Sequence, residues 1–241
     1  MPISTLKKAL AAVGFAAAAA VPVSASAAPI ELALVLDASG SISSANWTLQ
    51  TAAYANALAT VLPTDGSVAV SVIRFGETAS VVRGLTTIDS AGALTDLTTF
   101  FTSLLQSGNG NLTCISCGIF QANGTFTSDS GRKIIDVSTD GGWNVGVDPA
   151  GVASTEGTSA WAVEIGKATV VNAIGIGPNA DAEFDYGPGS FNMTAPNFAA
   201  FESSLVTKLR REITGEIPVP GALALMGVGL FGMGLVRRRT A

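Results

Sequence analysis

The sequence predicts an α/β fold: a Rossmann-like, doubly wound and mostly parallel sheet with helices on both faces. Three observations carry this. Leu32 to Leu36 is an unbroken apolar run, the pattern of a strand buried on both faces. Runs of the same kind recur at Ser67–Phe75, Lys133–Ser138 and Ala168–Ile176. Stretches with helical spacing separate them, and strands joined by helical crossovers form parallel sheets layered by helices.

In chain order, residues 1–27 read as a secretory signal. Lys7 and Lys8 form a positive n-region, Ala9 to Val23 an apolar h-region, and Ala25-Ser26-Ala27 a small-x-small cleavage site. Cleavage after Ala28 is the alternative, but it leaves Pro29 at the new N-terminus, so the cut is placed before Ala28. A permanent anchor is the rival reading, and the alanine content and cleavage site argue against it. The chain is expected to leave the cytoplasm.

The domain is expected over residues 28–214. After the first strand, Ser44 to Leu62 carries Ala, Leu and Tyr54 at helical spacing, and Pro63 with Thr64-Asp65-Gly66 ends it. Ser67 to Phe75 is a Val/Ile-rich strand, and Thr78 to Gly84 a short strand returning after the Gly76-Glu77 turn. Ser90 to Leu105 is a helix with Leu94, Leu97, Phe100, Phe101, Leu104 and Leu105 as its apolar set. A Gly/Asn loop follows, and a helix starts near Cys114. Lys133–Ser138 is a buried strand ending in Thr139-Asp140-Gly141. Ser154 to Gly166 is expected to be helical, Ala168 to Ile176 a strand, Asp181 to Ser190 a Gly/Pro-rich loop, and Pro196 to Glu212 the last helix. No internal repeat is visible.

Residues 215–241 form a second targeting segment. Ile217-Pro218-Val219-Pro220 precedes an apolar run to Val236, followed by Arg237, Arg238 and Arg239. As a helix, Val219 to Val236 would span about 27 Å, close to the roughly 30 Å of a bilayer core. The arginines would stay on the cytoplasmic side. A core helix is the bland alternative, and it fails because the run has no polar face. The tail resembles a PEP-CTERM sorting segment, in which a Pro-x-Pro signature precedes an apolar helix and a terminal Arg cluster. Val219 departs from that pattern, whose commonest signature has Glu. The resemblance implies an exosortase-type processing enzyme as a partner. It also implies an inner-membrane intermediate and delivery to the cell surface or matrix of a Gram-negative bacterium.

The whole chain carries a net charge of −5. Lys7, Lys8 and the three terminal arginines lie in the processed ends, so the stretch from Ala28 to Pro220 holds 8 Lys/Arg against 18 Asp/Glu, a balance of −10. Such an acidic domain is a poor partner for nucleic acid or anionic membrane and suits a divalent cation.

At the carboxyl end of the first strand the chain places Asp37, Ser39 and Ser41 as DxSxS. Ligands of open α/β sheets sit at that edge. One carboxylate and two hydroxyls at alternating positions can aim three oxygens at one point, as a hard cation such as Mg²⁺ requires. Taken alone, the same residues also read as caps and turn formers. With the two later loops the pattern resembles the von Willebrand factor type A (VWA) domain and its metal-ion-dependent adhesion site (MIDAS). Thr113 stands in a T-x4-G-I context with Gly118 and Ile119, and Asp140 lies in the TDG after a buried strand.

The resemblance implies that Ser39, Ser41 and, in the ligand-competent state, Thr113 coordinate the ion directly, while Asp37 and Asp140 act largely through waters. The ion would be Mg²⁺, or Mn²⁺ or Ca²⁺. It would seek a further anionic ligand, a carboxylate from a protein or surface partner. Asp136, inside a strand, reads as a hydrogen-bonded structural residue.

Cys114 and Cys117 directly follow Thr113. In an exported protein a disulfide is favoured over free thiols. A redox motif at a helix start remains the alternative. Zinc held through these two cysteines alone is disfavoured because the chain has no His and no third Cys to finish a tetrahedral site. The lack of His also removes Ser-His-Asp and Cys-His catalysis. The expectation is therefore an exported, metal-dependent adhesion or binding module rather than an enzyme. The rival is an exported hydrolase or thiol-disulfide enzyme.

Overall fold

The computed structural model describes residues 29–107, 109–129 and 131–215. The signal reading and the tail with Pro218, Val219, Pro220, Arg237, Arg238 and Arg239 lie outside the described residues. Among the described residues no helix is long and apolar enough to cross a membrane.

The elements run β1 (Ile30–Asp37), α1 (Ser44–Val61), β2 (Val68–Phe75), β3 (Ala79–Thr87), α2 (Ala91–Ser103), α3 (Ile115–Thr125), β4 (Arg132–Thr139), α4 (Ser159–Glu164), β5 (Val170–Ile176), β6 (Asn192–Ala195) and α5 (Phe198–Thr214). They build one six-stranded sheet in the order β3-β2-β1-β4-β5-β6. Only β3 is antiparallel to its neighbour, returning from β2. The chain goes from β1 to β2 on one side and later to β4 on the other. The carboxyl ends of β1 and β4 therefore flank a topological switch point, where open α/β sheets bind ligands.

The period-2 geometry of β1 serves two cores at once. Leu32, Leu34 and Leu36 enter the core beneath α1, α2 and α5, while Ala33 and Val35 enter the one beneath α3 and α4. In the first core, Tyr54 of α1 stacks on Phe101 of α2 at 5.2 Å and meets Phe201 of α5 edge-on at 5.6 Å. In the second, a Cβ added to Gly118 would lie 2.6 Å from Val35 Cγ1. Glycine at that position lets α3 lie directly on β1.

Two expectations are corrected. The helix expected over Ser154–Gly166 is confined to Ser159–Glu164. Thr158 accepts the Trp161 amide at 3.0 Å and starts the helix there. Gly157, at φ +87°, is pressed against the Ser116 carbonyl oxygen, which a Cβ would approach to 2.8 Å, so the preceding segment stays in turns. Strand β6 was not expected. Its four residues are too few to show a period, and pairing with Ala173–Ile176 of β5 defines it.

Asp136 is structural, as expected, but its main partner is a cation. Lys208 Nζ lies 2.5 Å from Asp136 Oδ1 and 2.6 Å from Glu212 Oε1, and all three side chains are buried. Asn172 Nδ2 donates to the same Glu212 oxygen at 2.8 Å. Burial first, and the Asp136 charge second, push the Glu212 carboxyl up to about 8. A proton on Glu212 leaves one lysine facing one carboxylate, so the buried group is neutral.

Candidate metal centre

The register pairs Leu36 of β1 with Ser138 of β4, so Asp37 and Thr139 emerge side by side at the switch point. Asp37 is fully buried and both its oxygens are occupied. Oδ1 accepts the Ser39 amide at 2.8 Å and Oδ2 accepts the Thr139 hydroxyl at 2.7 Å. Burial pushes its carboxyl up to about 6, the bonds from Ser39 and Thr139 pull down, and the Asp140 charge adds a smaller rise. Gln50 of α1 donates to the Asp37 carbonyl at 3.0 Å and ties the loop to the helix behind it.

The hydroxyls of Ser39 and Ser41 stand 3.0 Å apart, and Ser41 donates to Asp140 Oδ1 at 2.6 Å. Asp140 is half-buried, and burial raises its pKa against the lowering bond from Ser41. Capping does not account for the two serines. The cap of α1 is Ser43, whose Oγ accepts the Asn46 amide at 3.2 Å.

Thr113 arrives on the loop before α3, and backbone contacts hold that loop on three sides. Gly40 donates to the Asn111 carbonyl at 2.9 Å, and Cys114 donates to the Gly76 carbonyl at 2.7 Å. The third side is a two-bond clasp: Thr113 N–H donates to Asn144 Oδ1 at 2.7 Å, and Asn144 N–H donates to the Thr113 carbonyl at 3.0 Å. The five expected residues thus come from three loops at one edge of the sheet. A cleft of about 410 Å³ runs beside Ser39 and Gly40.

The donor set fits a small hard cation. Oxygens at adjacent corners of a Mg²⁺ octahedron stand about 2.9 Å apart, given Mg–O distances of 2.0–2.1 Å. The Ser39–Ser41 separation matches this, and the shorter Ser41–Asp140 contact would open slightly. Among the described residues no three His, Cys, Asp or Glu side chains group as a metal centre. The convergence here is of hydroxyls with two carboxylates.

Sequence reasoning missed Thr139, Asn111 and Asn144. Thr139 was in view as part of the TDG motif. Nothing in the sequence marks Asn144 as the partner of Thr113. Cys114 and Cys117 are joined in the structure, Cys114 fully buried at the N-cap of α3 and Cys117 half-buried.

Residues 27–217 match the family described as Protein of unknown function (DUF1194). The chain belongs to that family. No curated protein matches it. Among solved structures, it is similar to a von Willebrand factor type A protein from Catenulispora acidiphila, at 20% identity and a TM-score of 0.60, covering 78% of this chain and 43% of that one. Proximal thread matrix protein 1 from the mussel byssus, with a zinc-occupied MIDAS motif, is similar at 21% identity and a TM-score of 0.59, covering 78% and 46%. The pilus adhesin SpaC from Lactobacillus rhamnosus GG is similar at 16% and 0.57, covering 77% and 31%. The chain thus has the VWA fold. It spans less than half the length of each of these three proteins.

Proposed function

We propose that this protein is an exported binding module that holds one divalent cation through Asp37, Ser39, Ser41, Thr113 and Asp140. The ion, Mg²⁺ in the first instance, would bind a carboxylate on a protein or surface partner. The observation that carries this reading is the convergence of Ser39 Oγ, Ser41 Oγ and Asp140 Oδ1 beside the buried Asp37 carboxylate. Two carboxylates and neutral hydroxyls leave room for one more anionic ligand on the ion. The bound ion would polarise that ligand's oxygen and fix its position. The chain has no histidine, so the site lacks the imidazole base of Ser-His-Asp and Cys-His catalysis, which favours binding over catalysis.

The similar mussel protein carries zinc in a MIDAS motif, and the pilus protein is an adhesin, which supports the same reading. The N-terminal signal and the sorting-like tail support export, with an exosortase-type enzyme releasing the chain from the inner membrane. In the oxidising compartment beyond it, the Cys114–Cys117 bond would form.

Calorimetric titration of the exported protein with Mg²⁺ and Mn²⁺ tests the proposal. One ion should bind, and unfolding should become harder by about 2.7 kcal/mol at a hundredfold excess over Kd. Capture of a partner from the surface fraction should be lost with chelator. An unchanged melting temperature across millimolar Mg²⁺ and Mn²⁺ would overturn the site.

A further inference from the structure

We infer that Cys117 is a thiol–disulfide exchange site, reached by a small thiol through the cavity beside α3, and that opening its bond to Cys114 releases the Thr113 loop. A cavity of about 470 Å³ opens next to α3, with Cys117, Ser116, Phe120, Gly146 and Val147 in its wall. Cys117 is half-buried, and Cys114 is fully buried. Gly146, at φ +83°, covers the Cys114 sulfur so closely that a Cβ there would stand 2.5 Å from it. An incoming thiol therefore meets Cys117 and not Cys114.

The chemistry runs in the same direction. A low-molecular-weight thiolate attacks Cys117 Sγ, forming a mixed disulfide and breaking the Sγ117–Sγ114 bond. The electron pair of the broken bond leaves on Cys114 as a thiolate. That sulfur sits at the N-cap of the 11-residue helix α3, with the Ser116 hydroxyl 3.6 Å away. Ser116 Oγ accepts from Val147 N–H, so its own hydrogen is free to bond the departing Cys114 sulfur. A second thiolate can then attack the small-molecule sulfur of the mixed disulfide. It releases Cys117 as a thiolate and carries away the oxidised small disulfide.

The loop over the cavity also holds the metal loop. Val147 N–H donates to Ser116 Oγ at 3.1 Å, and Asn144, three residues earlier, clasps Thr113. Cys114 has little room to retreat, because its amide is tied to Gly76 and its sulfur is covered by Gly146. An adduct on Cys117 pushes against Gly146 and Val147, so the displacement passes to the Thr113–Asn144 clasp. The consequence for metal binding rests on the proposed metal site, whereas the exchange itself does not.

The full-length exported protein, equilibrated in glutathione buffers, provides the test. Peptide mass mapping should find one glutathione on Cys117 and a free thiol on Cys114. Deuterium exchange should quicken at the Thr113, Cys114 and Asn144 amides while the amides of β1 and β4 stay protected. Cys114→Ser should accept glutathione on Cys117, and Cys117→Ser should leave the buried Cys114 unmodified in the folded protein. Mn²⁺ affinity should fall roughly tenfold on modification, within the usual range for coupled sites. Glutathione on Cys114, or no adduct at equilibrium, overturns the exchange site. An adduct on Cys117 with unchanged exchange at Thr113 overturns the release. If the unmodified protein binds no Mn²⁺ at all, the metal reading fails, and the mass map and amide exchange still decide this inference.

Discussion

The Thr113 amide donates to Asn144 Oδ1 at 2.7 Å. One side chain thereby joins the second and third loops of the candidate site. The bond positions a backbone, so Asn144 shapes the site without being a proposed ligand itself.

Asn144→Ala should leave the buried Thr113 N–H without its acceptor, at a cost of about 1–3 kcal/mol. Urea unfolding should show that loss, and Mn²⁺ titration should show weakened binding in a protein that still folds. Stability and affinity equal to wild type would mean that the clasp does not hold the loop.

Gly118 and Gly124 are both glycines of α3, yet they should respond oppositely to alanine. At Gly118 the new methyl would meet Val35 Cγ1 at 2.6 Å and Phe75 Cδ1 at 3.2 Å. Overpacking of that kind costs about 1–3 kcal/mol. At Gly124 nothing lies within 4 Å. Its replacement should stabilise by about 0.4–1 kcal/mol through the unfolded chain's lost freedom. Denaturant midpoints of the two variants read the sign directly.

Glu212 gives a pH dependence with a defined sign. In the fold its carboxyl is raised to about 8, from an ordinary value of 4.5. The folded protein therefore holds a proton that the unfolded chain releases between those values, so stability falls as pH rises through that window. Lys208, raised by Asp136 and Glu212 against the opposing effect of burial, gives up its contribution only at higher pH still. Glu212→Gln keeps an oxygen for Lys208 and Asn172 and should flatten the melting temperature between about pH 6 and 8, above the range in which the raised Asp37 carboxyl also contributes. A variant as pH-dependent as wild type would place the titration elsewhere.

If the tail is the proposed sorting segment, replacing Pro218 and Pro220 by Ala keeps the following run apolar, so membrane insertion should survive while recognition by the proposed processing enzyme is lost. The variant should accumulate uncleaved in the inner membrane. Intact mass spectrometry of the mature wild-type protein should find Arg237 to Arg239 gone. Their presence would make the tail a plain anchor.

What the sequence determined by itself is what short-range periodicity and local motifs encode. Leu32 to Leu36 declared a strand buried on both faces because its apolar residues are contiguous. DxSxS, the threonine before a helix and the TDG were legible because each motif lies within one strand end or one loop. The tertiary structure decided what depends on strand order. Asn144 finds Thr113, Thr139 finds Asp37, and Lys208 finds Asp136 only once β4 lies beside β1 and α5 packs over the sheet. The same holds for the two cysteines. Their spacing places both at the start of α3, but the Gly146 loop, arriving from after β4, buries Cys114 and leaves Cys117 beside a cavity. Such pairings join residues tens of positions apart, and no local propensity records them.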